Sequence, residues 1–284
     1  NYISAVGFAT NESKFNKWWP ADVHIIGKDI IKFHCIIWPI MLMSAGLKIP
    51  EKVFAHGFLL NKGEKMSKTR GNIVDPINLA KVFGVDAIRY YFAAAVISGQ
   101  DGEFSEESII LRYNNDLAND FGNLVSRTLN MFEKYLSNVV PEYKRDLFDE
   151  KISTLVSHIE ALFQIYSEKM DNYEFSQAME SVWNIIKMAN KLIEDEAPWN
   201  LFKNNKHIEL ANVLYVLLEV IRVASLTIQP VMPETSRRIW EMLNLDYKAD
   251  NFSLETELKF GMIKSGHKIN KSAILFPRIV DEKK

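Results

Sequence analysis

The hydrophobic pattern changes once along the chain, close to Gly102, and this change limits the possible folds more than any other feature of the sequence. Before it, short apolar runs alternate with helical stretches, which is typical of an α/β fold. After it, apolar residues recur at helical spacing over long segments, which predicts an all-α bundle of four or five helices. We therefore expect an α/β domain over residues 1–104 and a helical domain with a C-terminal tail over residues 105–284.

The first part predicts a strand, a crossover helix and a second strand. Residues 23–26 form an apolar run that ends at Gly27, a helical pattern covers 29–45, and 52–60 form the second run. A polar loop follows over residues 61–72. Open α/β sheets bind ligands at the carboxyl edge of such a unit, so we expect a ligand site near this loop.

Several helices carry start and stop signals. Asp75 followed by Pro76 predicts an N-cap and a first helical position, with Gly84 as the stop. Ser105 predicts a second N-cap, and the two glutamates after it suit the positive end of a helix dipole. Residues 254–280 are less regular, and we expect them to pack back across the bundle. Further helical patterns cover residues 150–171, 175–204, 207–228 and 233–243.

The composition favours a folded protein without disulfides. Apolar residues make up 48% of the 284 residues, and the formal charge of −2 argues against general electrostatic binding of nucleic acid, so an RNA would be met by local patches and shape. Cys35 is the only cysteine, which excludes an intramolecular disulfide or a cysteine-rich zinc site and fits the cytoplasm. The longest apolar stretch, 208–231, contains charged residues, so we expect a buried helix and no membrane partner.

A lysine-rich stretch of the polar loop is the first candidate site. Lys65 and Lys68 lie three residues apart, with Ser67 and Thr69 beside Lys68 and glycines at both ends of the stretch. This suits a phosphate clamp, because an ammonium group ~4 Å from a phosphate oxygen gains about 4 kcal/mol at an effective dielectric of about 20. The gain aids catalysis only if it grows in the transition state. From composition alone, a solvated surface loop is an equally good interpretation.

The helical pattern after Gly27 offers a second candidate. Ile30, His34 and Trp38 are spaced at i, i+4 and i+8, hence on one helix face. An aliphatic group, an imidazole and an indole could line a pocket for an unbranched thioether, whose sulfur favours aromatic neighbours. From the spacing alone, a core stripe with a hydrogen-bonded histidine is the better interpretation.

Two features of the helical half could contact RNA. Asn123 and Arg127 fall nearly opposite an apolar stripe, and an amide and a guanidinium can hydrogen-bond base edges. Trp199 follows Pro198, which should disturb the helix, and an exposed indole could stack on a base with a gain of about 1–3 kcal/mol. An ordinary polar face and a core anchor are the more frequent outcomes of such patterns. The stripe comprises Leu117, Phe121, Leu124, Val125, Leu129, Phe132 and Leu136.

Four stretches together resemble a known family. The string Lys65–Thr69 resembles the second signature, Lys-Met-Ser-Lys-Ser, of class I aminoacyl-tRNA synthetases, with Thr69 in place of the final serine. Residues 22–39 resemble the methionyl-tRNA synthetase form of their segment, and 122–127 and 196–199 resemble the two anticodon-contacting segments of that family. The similarity covers nearly the whole chain and is thin after about residue 245. It implies the second half of a Rossmann-like nucleotide-binding domain followed by a helical-bundle anticodon-binding domain.

The resemblance also implies residue roles. Lys65 and Lys68 would bind the ATP phosphates, with Ser67 beside them in the catalytic loop. Gly27 and Asp29 would hold the ribose of the adenylate. The further ATP-binding positions are Gly57 and Leu59 against adenine, with Met66 and Thr69 in the loop; the methionine-binding residues are Tyr2, Ile30, His34 and Trp38; and the residues that read the CAU anticodon are Asn123, Arg127 and Trp199.

By the same resemblance the enzyme is a ligase that forms methionyl-adenylate from methionine and the magnesium complex of ATP, and then charges tRNA(Met). The first signature of the family, His-x-Gly-His, is absent from the sequence. We therefore expect a C-terminal portion that has no metal site of its own, needs the N-terminal half of the same enzyme as a partner and has little activity alone. Two alternatives stay open: a non-catalytic anticodon-binding fragment, and a class I synthetase for another aliphatic amino acid.

Overall fold

The computed structural model describes residues 1–61, 63–66, 74–247 and 253–280. The chain packs as two compact units. The first, the sheet unit, comprises Asn1–Ile73 and Val96–Phe104, and the second, the helical unit, comprises Val74–Ala95 and Ser105–Lys284. The α/β-then-α fold class predicted from the sequence is confirmed.

Packing divides the chain differently from the single boundary after residue 104. The segment 74–95 belongs to the helical unit. One of its side chains forms hydrogen bonds with backbone groups of that unit more than 140 residues later in the chain. The guanidinium of Arg89 donates to the carbonyl oxygens of Pro230 at 2.7 Å and Val231 at 2.8 Å. The chain therefore returns to the sheet unit only at Val96.

The sheet unit contains two small sheets. Strands β1 (Val23–Gly27) and β2 (Lys52–His56) are parallel, with Gly27 opposite His56, so the predicted strand–crossover–strand unit is confirmed. The second sheet has the order β4-β3-β5, in which β3 is antiparallel to β4 and parallel to β5. The remaining bounds are α1 (Tyr2–Ala5), α2 (Glu12–Trp18), a 3₁₀ turn (Lys28–Ile30), a π-helical turn (Phe33–Ile37), α3 (Trp38–Ser44), β3 (Leu59–Asn61), β4 (Glu64–Lys65) and β5 (Gly102–Phe104).

The single strand predicted over residues 52–60 is wrong, because the strand is interrupted at Gly57. The returning chain crosses directly over this glycine: a Cβ atom there would lie 2.0 Å from the carbonyl oxygen of Gln100 and 2.6 Å from the backbone nitrogen of Asp101. The carboxylate of Asp101 then accepts the N–H of Phe58 at 2.8 Å. At this position the backbone N–H is thus bonded to a side chain and not to the backbone of a neighbouring strand.

The helical unit begins with the caps predicted from the sequence. Asp75 accepts the N–H of Ile77 at 2.9 Å, and the first helix ends at Gly84, whose φ is +85°. Ser105 caps the third helix. The bounds are α4 (Pro76–Phe83), α5 (Val85–Ala95), α6 (Glu106–Arg112), a π-helical segment (Tyr113–Gly122), α7 (Asn123–Leu136), a 3₁₀ turn (Arg145–Leu147), α8 (Glu150–Asp171), α9 (Phe175–Glu196), α10 (Pro198–Lys203), α11 (His207–Thr227), α12 (Pro233–Leu243) and α13 (Leu254–Glu257).

Helix α11 is the centre of this unit. Among the described residues it alone is long and apolar enough to cross a membrane, with a mean hydropathy of 1.6 over its most apolar window. Inside the unit 94% of that window is buried, as expected for the central helix of a packed bundle. The prediction of a buried helix over 208–231 is thus confirmed for the greater part of that stretch.

The tail packs back across the bundle, as predicted. Asn114, in the π-helical segment, both donates to and accepts from the backbone of Ile279, at 2.9 Å each. The guanidinium of Arg238 donates to the carbonyl of Ile274 at 2.8 Å. The imidazole of His267 bonds the carbonyl of Leu243 at 2.8 Å. These side chains tie an irregular segment to the bundle at three separate places.

Candidate functional site

A cluster of aromatic rings lies where β1 meets the following helical turns. The phenol of Tyr2 bonds Nε2 of His34 at 2.8 Å, and Nδ1 of His34 bonds the carbonyl of Ile30 at 3.0 Å. Because a carbonyl only accepts, Nδ1 of His34 carries the proton, and Nε2 of a neutral ring accepts from the phenol. The indole of Trp38 completes this side, with its ring centroid 6.0 Å from that of Tyr2.

This cluster brings together three predicted pocket residues and the carbonyl of the fourth, Ile30. The π-helical turn Phe33–Ile37 contains His34 and ends just before Trp38, so the backbone between the two residues is wider than in an α-helix. Both rings nevertheless face Tyr2, so the shared face that the sequence predicts is present. The binding of methionine by these residues stays a prediction.

Sequence reasoning missed two members of the cluster. His24 in β1 is only 8% exposed, and its ring centroid lies 4.6 Å from that of Tyr2. Trp19 lies 6.1 Å from Trp38, and its indole N–H donates to the carbonyl of Lys48 at 2.9 Å. The signal for His24 was the alternation of β1, since positions 24 and 26 point inward together. Burial, and to a lesser extent the imidazole of His34, lower the pKa of His24.

The predicted ribose-binding residues lie at the carboxyl ends of the two parallel strands. A Cβ atom at Gly27 would lie 2.7 Å from a carboxylate oxygen of Asp29, so the carboxylate occupies the space beside this glycine. The imidazole of His56 would be 3.9 Å away from the same point. The carboxylate can accept hydrogen bonds from the hydroxyl groups of a sugar ring that binds at this edge of the sheet.

The first lysine of the signature loop lies over an aromatic ring. The ammonium group of Lys65 is 3.8 Å from the ring centroid of Phe58, and that of Lys28 is 4.9 Å from it. Lys28 also pairs with the carboxylate of Asp101 at 2.6 Å. The hydrogen bond from Lys28, and then the one from the Phe58 N–H, lower the pKa of Asp101. Two cations and one carboxylate thus surround Phe58, next to the loop.

The remaining predicted ATP contacts are only partly within the described residues. Gly57 is covered by the backbone of Gln100 and Asp101, which accounts for the need for glycine there without a ligand. Leu59 is exposed and Met66 is half-buried. The positions that lie outside the described residues are Ser67, Lys68 and Thr69.

The predicted RNA-reading residues are accessible on the helical unit. Asn123, at the start of α7, is exposed, and Arg127, one turn later, is half-exposed. The stripe opposite them is buried from Leu117 to Phe132, as the helical spacing predicts. Trp199 is 45% exposed, so it is a surface indole and not a core anchor.

Two contacts connect the segments that carry Arg127 and Trp199. The amide of Asn190 in α9 donates to the carbonyl of Asp120 just before α7, at 2.9 Å. Further along both segments, Tyr135 of α7 stacks on Phe202 of α10, with ring centroids 4.6 Å apart. The two paths therefore run in the same direction. The half-exposed arginine and the surface indole both fall between these two contacts.

A single left-handed residue separates α9 from the short helix that carries Trp199. The pattern predicted over 175–204 is broken at Ala197, which adopts a left-handed conformation with φ +43° and ψ +67°, and Pro198 opens the next helix. Just before the break, Glu196 accepts from the ammonium of Lys151 at 3.1 Å. The predicted disturbance by the proline is confirmed, and the ion pair holds the end of α9 against the start of α8.

Within residues 1–61, 63–66, 74–247 and 253–280, no group of three or more histidine, cysteine or acidic side chains could hold a metal ion.

Two family models match the chain. The one described as "tRNA synthetases class I (M)" matches residues 1–129, and the one described as "Anticodon binding domain of methionyl tRNA ligase" matches residues 140–284. The second match alone covers half of the chain. The first match ends within α7 and the second begins just after it, so the first match includes the sheet unit and the first helices of the helical unit.

Curated relatives and solved structures agree with these matches. The chain is 46% identical over its whole length to the methionine–tRNA ligase of Caldanaerobacter subterraneus subsp. tengcongensis and 42% identical over 98% to that of Thermotoga maritima. It spans 44% of the length of each. The structure of Mycobacterium tuberculosis methionyl-tRNA synthetase in complex with methionyl-adenylate superposes with a TM-score of 0.88 at 40% identity, covering 98% of this chain and 54% of that one. The apo form superposes with a TM-score of 0.86 at 37% identity, covering 99% and 54%.

Proposed function

This chain belongs to the methionyl-tRNA synthetase family of class I aminoacyl-tRNA synthetases, and on that premise we propose that it takes part in activating methionine with ATP and charging tRNA(Met) in the cytoplasm. Methionine and the magnesium complex of ATP are the proposed substrates, and methionyl-adenylate is the proposed intermediate. The relative from Mycobacterium tuberculosis holds methionyl-adenylate, which supports the same chemistry here.

The observation that carries the proposal is the aromatic cluster of Tyr2, His34 and Trp38. The polar atoms of His34 are taken up by Tyr2 and Ile30, so the cluster offers ring faces and edges to a ligand. A thioether gains from such contacts and needs no strong hydrogen bond. A chain with a charged or amide end would lose its hydration without finding a partner. These properties favour methionine over polar side chains of similar length.

The signature loop supplies positive charge for the ATP phosphates. The carboxylate of methionine attacks the α-phosphorus, a new P–O bond forms, and the bond to pyrophosphate breaks. Negative charge shifts to the leaving group, where ammonium groups stabilise it best. Lys65 and Lys68 take this role, with Ser67, Met66 and Thr69 as their neighbours in the loop.

The edge of the sheet unit receives the nucleoside. The carboxylate of Asp29 lies beside Gly27 and accepts hydrogen bonds from the ribose hydroxyls. Leu59 and the backbone at Gly57 lie against adenine. His56, opposite Gly27 in the strand register, is the nearest further side chain.

The helical unit is proposed to read the CAU anticodon. Trp199 offers an exposed indole on which a base stacks, and Asn123 and Arg127 hydrogen-bond base edges. The arginine and the indole lie on segments that contact each other on both sides of them, which supports contact with one RNA loop. This assignment also fits a chain that binds tRNA(Met) without catalysis.

Methionine-dependent exchange of pyrophosphate into ATP tests the activation step. We expect exchange from the full-length protein and little from the 284-residue chain, because the chain lacks the His-x-Gly-His signature. Leucine, isoleucine, valine and cysteine serve as alternative substrates in the same assay. Robust exchange by the chain alone, or a preference for another amino acid, would contradict this part of the proposal.

Binding of tRNA(Met) to the chain tests the anticodon assignment. Trp199→Ala should weaken binding by a factor of about 5–100, because one stacked base is lost. Trp18→Ala removes an indole of similar exposure from the sheet unit and serves as the control. Arg127→Ala should relax the preference for the CAU anticodon. Equal binding of tRNAs with other anticodons by the unaltered chain would show that the assignment is wrong.

A further inference from the structure

His24 stands in the middle of the aromatic cluster. It lies in β1, between Tyr2 at 4.6 Å and Trp19 at 6.2 Å, measured between ring centroids. The ring of His34 is 6.0 Å away, and the two ring planes are inclined at 65°. The ring of the strand residue His24 is therefore surrounded by aromatic rings from three other segments of the chain.

The hydrogen bond that His24 receives defines its protonation state. The indole N–H of Trp38 donates to Nε2 of His24 at 3.4 Å, a long hydrogen bond. An indole nitrogen is a donor only, so Nε2 must be an unprotonated acceptor. Burial in the cluster favours the same neutral ring. Without this acceptor, the N–H of the half-buried indole would lose the one hydrogen-bond partner that it has among the residues that the structure describes.

We propose that His24 is a positioning residue of the methionine pocket, whose Nε2 holds the indole of Trp38 in the orientation that closes the cluster around the side chain of the amino acid. This inference rests on the proposed function. His24 acts through Trp38, which faces Tyr2 and His34, and it contacts no reacting atom. Its effect therefore belongs to the binding of methionine and not to the binding of ATP.

Two substitutions at His24 distinguish the contribution of its hydrogen-bond acceptor from that of its aromatic ring. His24→Phe keeps an aromatic ring but removes the acceptor, and it should raise the KM for methionine about fivefold to tenfold in the exchange assay on the full-length protein. The KM for ATP should stay within about twofold, since no ATP contact changes. His24→Gln places an amide oxygen near the position of Nε2 and should recover most of the loss. His158→Phe alters an exposed histidine of α8 and serves as the control.

A double-substitution cycle shows whether His24 acts through Trp38. Trp38→Phe removes the donor, so adding His24→Phe to it should raise the KM for methionine no further. Additive effects would overturn the inference, as would an unchanged methionine KM in His24→Phe or equal increases of both substrate KM values. The unaltered protein decides the proposed function separately: if it shows no methionine-dependent exchange, that proposal fails whatever the variants do.

Discussion

Burial of the His24 side chain makes its protonation one source of pH dependence in the aromatic cluster. Its folded pKa lies below the ordinary 6.5, because burial and then His34 disfavour the imidazolium. The unfolded chain takes up a proton at the ordinary pKa, so the neutral ring contributes stability above pH 6.5. This contribution is lost as the pH falls through the lower folded pKa. The groups that face His24 are those of Tyr2, Trp19, His34, Trp38 and, in the paired strand, Val53.

We therefore expect methionine binding to be independent of pH above about pH 6.5 and to weaken at lower pH. Protonated His24 has no acceptor for the indole N–H of Trp38, so the pocket loses its closed form. The measurement is the KM for methionine of the full-length protein between about pH 5.5 and 8. His24→Gln does not titrate and should give a flatter profile. The same profile in both proteins would assign the pH dependence to another group.

Gly57 is a second position where one residue determines a local structure. Its missing side chain lets the backbone of Gln100 cross at a distance that no other residue permits. Gly57→Ala should lower the free energy of unfolding by about 3 kcal/mol, because the crossing strand must move. Urea unfolding followed by tryptophan fluorescence measures the change.

The control for Gly57 is Gly46→Ala. Nothing lies within 4 Å of a Cβ atom at Gly46, and only its positive φ of +70° disfavours alanine. A cost of about 1 kcal/mol is expected there. If Gly57→Ala cost no more than Gly46→Ala, the close crossing would not explain the glycine, and a ligand contact would become the better reason.

At the scale of elements, the sequence predicts the ends of helices correctly where the signals for them lie in neighbouring residues. The cap at Asp75, the stop at Gly84 and the ends of α8, α11 and α12 follow from residues within a turn of each boundary. The π-helical segments at Phe33–Ile37 and Tyr113–Gly122 were not predicted, because apolar spacing does not distinguish bonds to i+5 from bonds to i+4. The break in the strand at Gly57 depends on residues more than forty positions away, which no local pattern contains.

The junction between α9 and α10 gives a prediction at this scale. Ala197 holds a left-handed conformation that is unfavourable for a residue with a Cβ atom. Ala197→Gly should therefore raise the free energy of unfolding by about 1 kcal/mol and leave tRNA binding within about twofold, because the path to Trp199 is unchanged. Thermal unfolding and tRNA titration measure the two effects.

Ala161→Gly is the matched control, in an exposed interior position of α8. Glycine there should cost about 0.5–1 kcal/mol, the opposite sign. If Ala197→Gly were destabilising too, the left-handed conformation at the junction would not be the one that the protein adopts in solution.

At the scale of the whole molecule, the packing of the tail against the helical unit depends on two buried charges, whose pairing the sequence pattern did not predict. Glu219 and Arg222 are fully buried and bonded to each other, with a shortest separation of 2.6 Å. The sequence showed them only as interruptions of an apolar helix. Both also bond backbone groups of the tail, some forty residues later, and only the folded chain brings these groups together. The family motifs named the candidate site residues, whereas the contacts of His24 and Trp19 with these residues are visible only in the structure.

This buried pair gives the last prediction. Glu219 accepts the N–H groups of Gly261 and Ile263 at 3.1 and 2.9 Å, and Arg222 donates to the carbonyls of Glu257 and Lys259. Arg222→Met leaves a buried carboxylate without its counter-charge and frees two carbonyls. The free energy of unfolding of the helical unit should therefore fall by about 3–5 kcal/mol. Limited proteolysis should also cut the tail before the bundle.

Arg237→Met provides the comparison. Arg237 pairs with Glu234 at the same i, i+3 spacing but on the surface, where both side chains are more than half exposed, at 52% and 60%. Arg237 also pairs with Glu241, which is exposed too. The loss of Arg237 should cost less than about 1 kcal/mol, because solvent screens both pairs and hydrates the carboxylates that remain. Burial, and not the ion pair itself, makes Arg222 essential: a surface carboxylate loses only its partner, while Glu219 would keep its charge in a place without water. Equal costs for the two substitutions would mean that water reaches Glu219 in solution, and that the tail does not close over α11 as tightly as its hydrogen bonds indicate.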